Sequence, residues 1–152
     1  MTKLAAILIC VSVLVAVCNS PTSPSAPAIK TTHNPVRNDL APLTTRFPAL
    51  GDPVSASWVS GDLGDPRVPG PSLYWIDAVV AVSPGTVDAL KVEYHPAPSD
   101  RQPEVWDTLR DHLPSGKYLT GDALNAAFGT KTHAQVFLAE HEPTVVITAT
   151  GE

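Results

Sequence analysis

Residues 72–83 read Ser-Leu-Tyr-Trp-Ile-Asp-Ala-Val-Val-Ala-Val-Ser, the longest run after residue 20 that favours a β-strand. Successive side chains of a strand point to opposite faces of its sheet. Tyr74 and Ile76 therefore share one face, and Trp75 and Asp77 share the other. Both faces of the run are largely apolar, which predicts a central strand that is covered on both sides.

Three further segments have the composition of strands. Residues 53–60 alternate between apolar and small polar side chains, which predicts a half-exposed strand. Residues 133–140 alternate loosely, and residues 144–150 are rich in β-branched side chains, so both predict strands near the end of the chain. The sequence therefore predicts a sheet of about four strands.

Helix signals lie between the two pairs of strands. Ser83-Pro84 provides an N-cap and a first helical residue, and His95-Pro96 ends the helix that follows. A second helix is expected from Pro103 to Leu113, and a third from about Thr120 to Phe128. Strands at both ends with two to three helices between them predict the α+β class, a single small domain with a mostly antiparallel sheet.

The N-terminal region has a different composition. Lys3 is followed by fourteen uncharged residues, 4–17. This length fits the apolar part of a signal peptide and is short of the ~20 residues that cross a bilayer. We therefore predict a signal peptide over 1–18 and a disordered tether rich in Pro, Ser and Thr over 19–42. The globular domain is then expected over 43–152.

Both cysteines, Cys10 and Cys18, lie in the predicted signal peptide. The residues before Cys18 resemble a bacterial lipoprotein signal, in which that cysteine carries the lipid. Ordinary cleavage near the same position is the alternative. The first places the protein on the outer face of the cell membrane, and the second makes it a secreted protein. In either case residues 43–152 contain no thiol for a disulfide, a nucleophile or a zinc site.

A family resemblance supports the prediction of export. Residues 38–51 (NDLAPLTTRFPALG), Trp58, residues 67–71 (RVPGP) and residues 75–80 (WIDAVV) resemble segments of small uncharacterised exported proteins and lipoproteins of actinobacteria. The resemblance implies that these segments belong to one exported domain. It implies no activity and no catalytic residues.

Charge and motifs exclude several classes of function. The chain has 10 Lys and Arg against 15 Asp and Glu, a net charge of -5. Nucleic-acid binding requires basic clusters, which this sequence lacks. The sequence has no polybasic run that would attract it to anionic lipid. The only membrane contact expected is therefore through an N-terminal lipid. Phosphate-loop, dinucleotide and metal-ligand motifs are absent from the sequence, so no cofactor, metal or catalytic residue is predicted.

Asp77 is the one carboxylate within the apolar run, and it lies beside Trp75. Burial would raise the pKa of this carboxyl unless a cation or hydrogen bonds hold it ionised. Arg67 and Arg46 are the candidate cations nearest in sequence. Trp75, Asp77 and Arg67 are therefore the predicted ligand-binding residues. The aromatic residues suggest either a sugar- or peptide-binding platform or an ordinary core; they are Trp58, Tyr74, Trp75 and Trp106.

The sequence is thus interpreted as an exported cell-envelope protein that acts as a binding or interaction module, held off the membrane by a flexible tether. Its expected partner is an extracytoplasmic protein or a small ligand. One alternative is a small metal-free hydrolase that uses Asp77 with Arg67 or a histidine. Another is a structural envelope protein without a ligand.

Overall fold

The structure is a computed structural model, and it describes residues 28–65, 67 and 69–152. These residues form one antiparallel sheet of seven strands in the order β1-β2-β3-β7-β6-β5-β4. The strands are β1 (Lys30–Thr31), β2 (Ser55–Leu63), β3 (Leu73–Ala81), β4 (Ala97–Ser99), β5 (Tyr118–Thr120), β6 (His133–Ala139) and β7 (Thr144–Gly151).

The predicted central strand is confirmed as β3. It pairs with β2 on one side and with β7 on the other over nearly its whole length. Ile76 and Val80 lie in one core cluster, and Trp75 and Val79 lie in a second cluster on the opposite face. The alternation read from the sequence therefore holds, and both faces of β3 are buried.

Three α-helices cover one face of the sheet, which we call the helix face. They are α1 (Ala41–Arg46), α2 (Pro84–Tyr94) and α3 (Asp122–Phe128). Apolar side chains from all three helices lie in the same cluster as the strand residues of that face, among them Leu43, Leu90 and Phe128. In the described ranges no helix has the length and apolar character needed to span a bilayer.

Helix α2 begins as its cap residues predict. The Ser83 side chain accepts a hydrogen bond from the Thr86 N–H at 3.2 Å, and Pro84 takes the first helical position. The helix ends at His95, whose backbone is left-handed with φ 46°.

Replacement of Ser83 by Ala removes the side-chain acceptor of this cap. We expect the free energy of unfolding to fall by about 1 kcal/mol. Urea denaturation of Ser83→Ala measures the loss, with Ser115→Ala as a control because Ser115 is exposed. Equal stability of the two variants would contradict the role assigned to the Ser83 side chain.

The opposite face, which we call the loop face, is covered in part by residues 100–117. Val105 and Leu109 from this segment pack against Val146 and Phe137 of the sheet. The helix predicted from Pro103 to Leu113 is wrong: only a 3₁₀ helix forms, over Asp107–His112. The physical reason is that Trp106 has an extended backbone, and its N–H bonds the Asp77 carboxylate in place of a helical carbonyl.

The predicted tether is wrong for residues 28–42, because these residues are part of the fold. Residues 28–40, which we call the N-terminal strap, run along the outer edge of β2. Lys30 and Thr31 pair with Leu63 and Asp62 as strand β1. The backbones of Arg37 and Trp58 exchange two hydrogen bonds, of 2.8 and 2.9 Å. The folded domain therefore includes residues 28–42, which the prediction places outside it.

Side chains of the strap complete the same edge. Thr32 Oγ1 and Asn34 Nδ2 donate to the Ser60 carbonyl at 2.8 and 2.9 Å, and Asn38 Nδ2 donates to the Ala56 carbonyl at 2.7 Å. An edge strand exposes unpaired backbone groups that invite association with other chains. The strap pairs with these groups of β2, and the same hydrogen bonds fix the strap in place.

The class, the antiparallel sheet and the single small domain agree with prediction, but the number of strands is seven and not about four. The four predicted strands are β2, β3, β6 and β7. The three that sequence reasoning missed, β1, β4 and β5, contain only two or three residues each. The predicted signal peptide over 1–18, Cys18 and residues 19–27 lie outside the described residues.

Candidate functional site

Asp77 is fully buried on the loop face, and Lys30 of the strap neutralises it. Both carboxylate oxygens accept from Lys30 Nζ at 2.8 Å, and Oδ2 also accepts from the Trp106 N–H at 2.8 Å. Desolvation by burial raises the pKa of the Asp77 carboxyl, and the Lys30 ammonium and the Trp106 N–H partly oppose that rise. The carboxylate is thus held on three hydrogen bonds that tie three distant parts of the chain together.

Trp75 is also fully buried, and it supports the same junction. Its indole N–H donates to the Thr31 carbonyl at 3.3 Å, and the Lys30 ammonium lies 4.9 Å from its ring centroid. The Trp106 ring stacks on it with 5.0 Å between centroids. Since no part of Trp75 reaches the surface, its role is to hold the strap rather than to contact a ligand.

The predicted set of Trp75, Asp77 and Arg67 does not come together. Arg67 lies exposed in the loop between β2 and β3, where its backbone N–H bonds the Asp65 carboxylate at 2.9 Å. Arg46 lies over the Tyr74 ring on the helix face. Among the described residues, the side-chain partner of Asp77 is Lys30, and no histidine bonds it.

The arrangement around Asp77 does not provide the chemistry of the hydrolase alternative. A general base must reach a proton of the substrate, and this carboxylate is fully buried with both oxygens occupied. The described part of the chain also contains no group of three His, Cys, Asp or Glu side chains placed to hold a metal ion. Asp77 is therefore a structural residue of the strap junction.

Sequence reasoning missed Lys30, the partner that defines this junction. The prolines and serines around its segment favour the prediction of a tether. One signal could have found it: residues 28–33, Ala-Ile-Lys-Thr-Thr-His, contain no proline and carry β-branched side chains. That composition is typical of a strand rather than of a flexible linker.

The four aromatic residues do not form one platform. Trp75 and Trp106 stack on the loop face, whereas Trp58 and Tyr74 lie in the cluster of the helix face. Trp58 is almost completely buried, and its indole N–H bonds the Asp39 carbonyl at 3.0 Å. Trp58 and Trp75 are therefore core residues, in agreement with the second of the two interpretations.

A polar groove lies beside the Lys30–Asp77 pair, where residues 100–117 leave the loop face uncovered. It has a volume of about 760 Å³ and is lined in part by Lys30. In the strand register, Thr148 lies opposite both Asp77 and Gln135, and Thr150 lies opposite His133. The floor of the groove therefore contains two cross-strand rows of polar side chains on β7 and β6. Thr148 and Gln135 continue the row of Asp77, and Thr150 and His133 continue the row of Trp75.

The far wall of the groove comes from the segment that follows β4. Arg101 donates from its guanidinium to Gln135 Oε1 at 3.1 Å, which joins this wall to the floor. Gln102 and Glu104 line the same wall. The groove thus combines amide, hydroxyl, carboxylate and guanidinium groups, which offer both donors and acceptors of hydrogen bonds. An arrangement of this kind can bind and orient a polar ligand.

The groove has the size of a small-molecule site, since such sites measure about 300–1,000 Å³. Its polar lining differs from the apolar walls of most sites of that size, so hydrogen bonding must supply most of its selectivity. Comparison with protein-family models, with curated protein sequences and with solved structures returned no match.

Proposed function

We propose that this protein is an exported binding module of the cell envelope, and that the groove beside Lys30 binds a neutral, hydroxyl-rich ligand such as a sugar chain. The observation that carries the proposal is the polar floor of Thr148, Thr150 and Gln135, bounded by Lys30 on one side and Arg101 on the other.

The chemistry of the lining favours a neutral ligand. Lys30 is neutralised by Asp77, and Arg101 shares the groove with Glu104, so no single sign of charge dominates. The hydroxyl groups of a sugar both donate and accept hydrogen bonds, and adjacent hydroxyls match planar amide and guanidinium groups that present two polar atoms at once. Gln102, Gln135 and Arg101 supply such groups.

The location outside the cytoplasm rests on the uncharged run after Lys3 and on Cys18. If Cys18 is lipidated, the strap limits how far the domain stands from the membrane. Lys30 lies twelve positions after Cys18, and an extended chain spans at most about 40 Å over that distance in sequence. The maximum distance between the folded domain and the bilayer would then be shorter than with a tether ending at residue 42.

Binding can be tested by NMR titration of the ¹⁵N-labelled protein with neutral oligosaccharides built from arabinose, galactose, mannose and N-acetylglucosamine. We expect saturable shifts of the Gln102 and Gln135 side-chain amides with at least one of them. Arg101→Ala should weaken that binding by about tenfold, since it removes a charged donor. Arg110→Ala is the control, because Arg110 is an exposed arginine that pairs with Asp107. No shift with any sugar, or equal loss in both variants, would refute the ligand class.

Export is tested separately by intact-mass spectrometry of the protein purified from its native host. We expect a mature chain that begins at or near Cys18, and the mass shows whether this cysteine carries lipid. Recovery of a chain that retains Met1 from the cytosol would contradict the proposed location without bearing on the groove.

A further inference from the structure

A second cleft lies on the helix face, on the other side of the sheet from the groove. The strap, α1 and the ends of β2 and β3 enclose a volume of about 380 Å³. Its polar lining includes Asn34, Arg37, Arg46 and Asp62, and its apolar lining includes Pro42, Leu43, Tyr74 and Ile76.

Aromatic rings hold both arginines of the cleft in place. The Arg37 guanidinium lies 4.3 Å from the Trp58 ring centroid, and that of Arg46 lies 4.7 Å from the Tyr74 ring centroid. Arg37 is already engaged, because its guanidinium donates twice to the Asp39 carboxylate. This hydrogen bonding lowers the pKa of the Asp39 carboxyl. Arg46 has no ion-pair partner among the described residues.

Asp62 supplies a negative charge to the cleft that Arg46 also lines. Asp62 lies directly opposite Tyr74 in the β2–β3 register, and Arg46 covers the Tyr74 ring. Side chains directly opposite each other in an antiparallel pair have Cβ atoms about 5 Å apart. Within the described ranges the Asp62 carboxylate also forms no ion pair. Among the described residues, the cleft therefore presents one cation and one anion without an ion-pair partner, on either side of Tyr74.

We propose that this cleft binds a free α-amino acid. The planar guanidinium of Arg46 suits the ligand's carboxylate, which it can bind through two parallel hydrogen bonds. The Asp62 carboxylate suits the ligand's ammonium group. Pro42, Leu43 and Ile76 offer contact to an apolar side chain. A doubly charged anion such as phosphate fits less well, because Asp62 would repel it.

Three ligands of one shape separate the contributions of the two charges. L-Leucine carries both charges, 4-methylpentanoate lacks the ammonium group, and isoamylamine lacks the carboxylate. In NMR titrations of the full chain we expect L-leucine to shift the Arg46 Nε–H and Tyr74 ring signals to saturation. Each analogue should bind about tenfold more weakly, because it lacks one charge-assisted contact.

Two variants assign the contacts. Arg46→Gln should abolish saturation by L-leucine. Asp62→Asn should weaken L-leucine about tenfold while leaving the affinity for 4-methylpentanoate undiminished, which a merely structural role of Asp62 would not do. Arg110→Gln is the control, and thermal melts show that each variant is folded. Equal affinities for L-leucine and 4-methylpentanoate, unchanged binding in Arg46→Gln, or no saturation with any of the three ligands would overturn the proposal. None of these results tests the proposal that the groove binds a sugar.

Discussion

Replacement of Lys30 by Met should lower the free energy of unfolding by about 3 kcal/mol at neutral pH, because it leaves the buried Asp77 carboxylate without its counter-ion. Asp77 is fully buried, whereas the Lys30 side chain is 30% exposed, so the expected loss lies at the low end for a broken buried pair. Met has a similar length and an unbranched side chain but no charge, so the change isolates the contribution of the ammonium group.

The loss should depend on pH in a defined direction. Burial raises the pKa of Asp77 in the folded protein above its unfolded value, so the folded state binds a proton more readily. The contribution of Asp77 to stability is therefore fully present below its unfolded pKa, about 3.8, and is lost as the pH rises through the folded pKa. Removal of Lys30 takes away its hydrogen bonds and its charge, and only the Trp106 N–H still opposes the rise. The pKa of Asp77 in the folded variant is therefore higher than in the wild-type protein. Lys30→Met should thus approach the wild type as the pH falls towards 4.

Urea denaturation across this pH range gives the required free energies. Lys117→Met is the matched control, because Lys117 is an exposed lysine. The double variant Lys30→Met with Asp77→Leu should recover most of the stability, since an apolar pair can replace a buried ion pair of similar volume. A stability of Lys30→Met that stays within the experimental error of the control at every pH would show that Lys30 and Asp77 are not coupled.

The parts of the fold that could be predicted are those with local causes. The alternation in residues 72–83 is a property of the strand itself, and Ser83-Pro84 starts α2 through contacts within one turn. The helix predicted at Pro103–Leu113 fails because Trp106 gives its N–H to Asp77, a residue 29 positions away. A tertiary hydrogen bond of this kind overrides local helix preference. Strands of two or three residues, such as β1 and β4, depend on the neighbouring strand and carry too few side chains to show a pattern.

The same distinction explains what was predictable of the site. The carboxylate in an apolar strand indicated that a buried Asp77 would be held by a cation or by hydrogen bonds, and the structure shows both, from Lys30 and from the Trp106 N–H. The identity of the cation was not predictable, because Lys30 is 47 residues away and Arg67 and Arg46 were nearer in sequence. The groove could not be foreseen either, since its floor follows from the pairing of β3 with β7 and of β7 with β6.

Replacement of Gly61 by Ala should release the N-terminal strap and lower the free energy of unfolding by about 3 kcal/mol. A Cβ at this position would lie 2.1 Å from the Thr31 carbonyl oxygen and 2.6 Å from Thr32 Cβ. The Thr31 oxygen belongs to the backbone and cannot rotate aside, so the strap itself must move. Lys30 would then withdraw from Asp77.

Hydrogen exchange distinguishes release of the strap from general loosening of the domain. We expect faster amide exchange in residues 30–39 and at Trp58, whose N–H bonds the Arg37 carbonyl. The amides of β7 should stay protected. Gly70→Ala is the control, because a Cβ there meets no atom within 4 Å. Gly61→Ala and Lys30→Met both break the same junction, so their combination should cost clearly less than the sum of the two. Simple additivity would mean that the strap and the Lys30–Asp77 pair stabilise the domain independently.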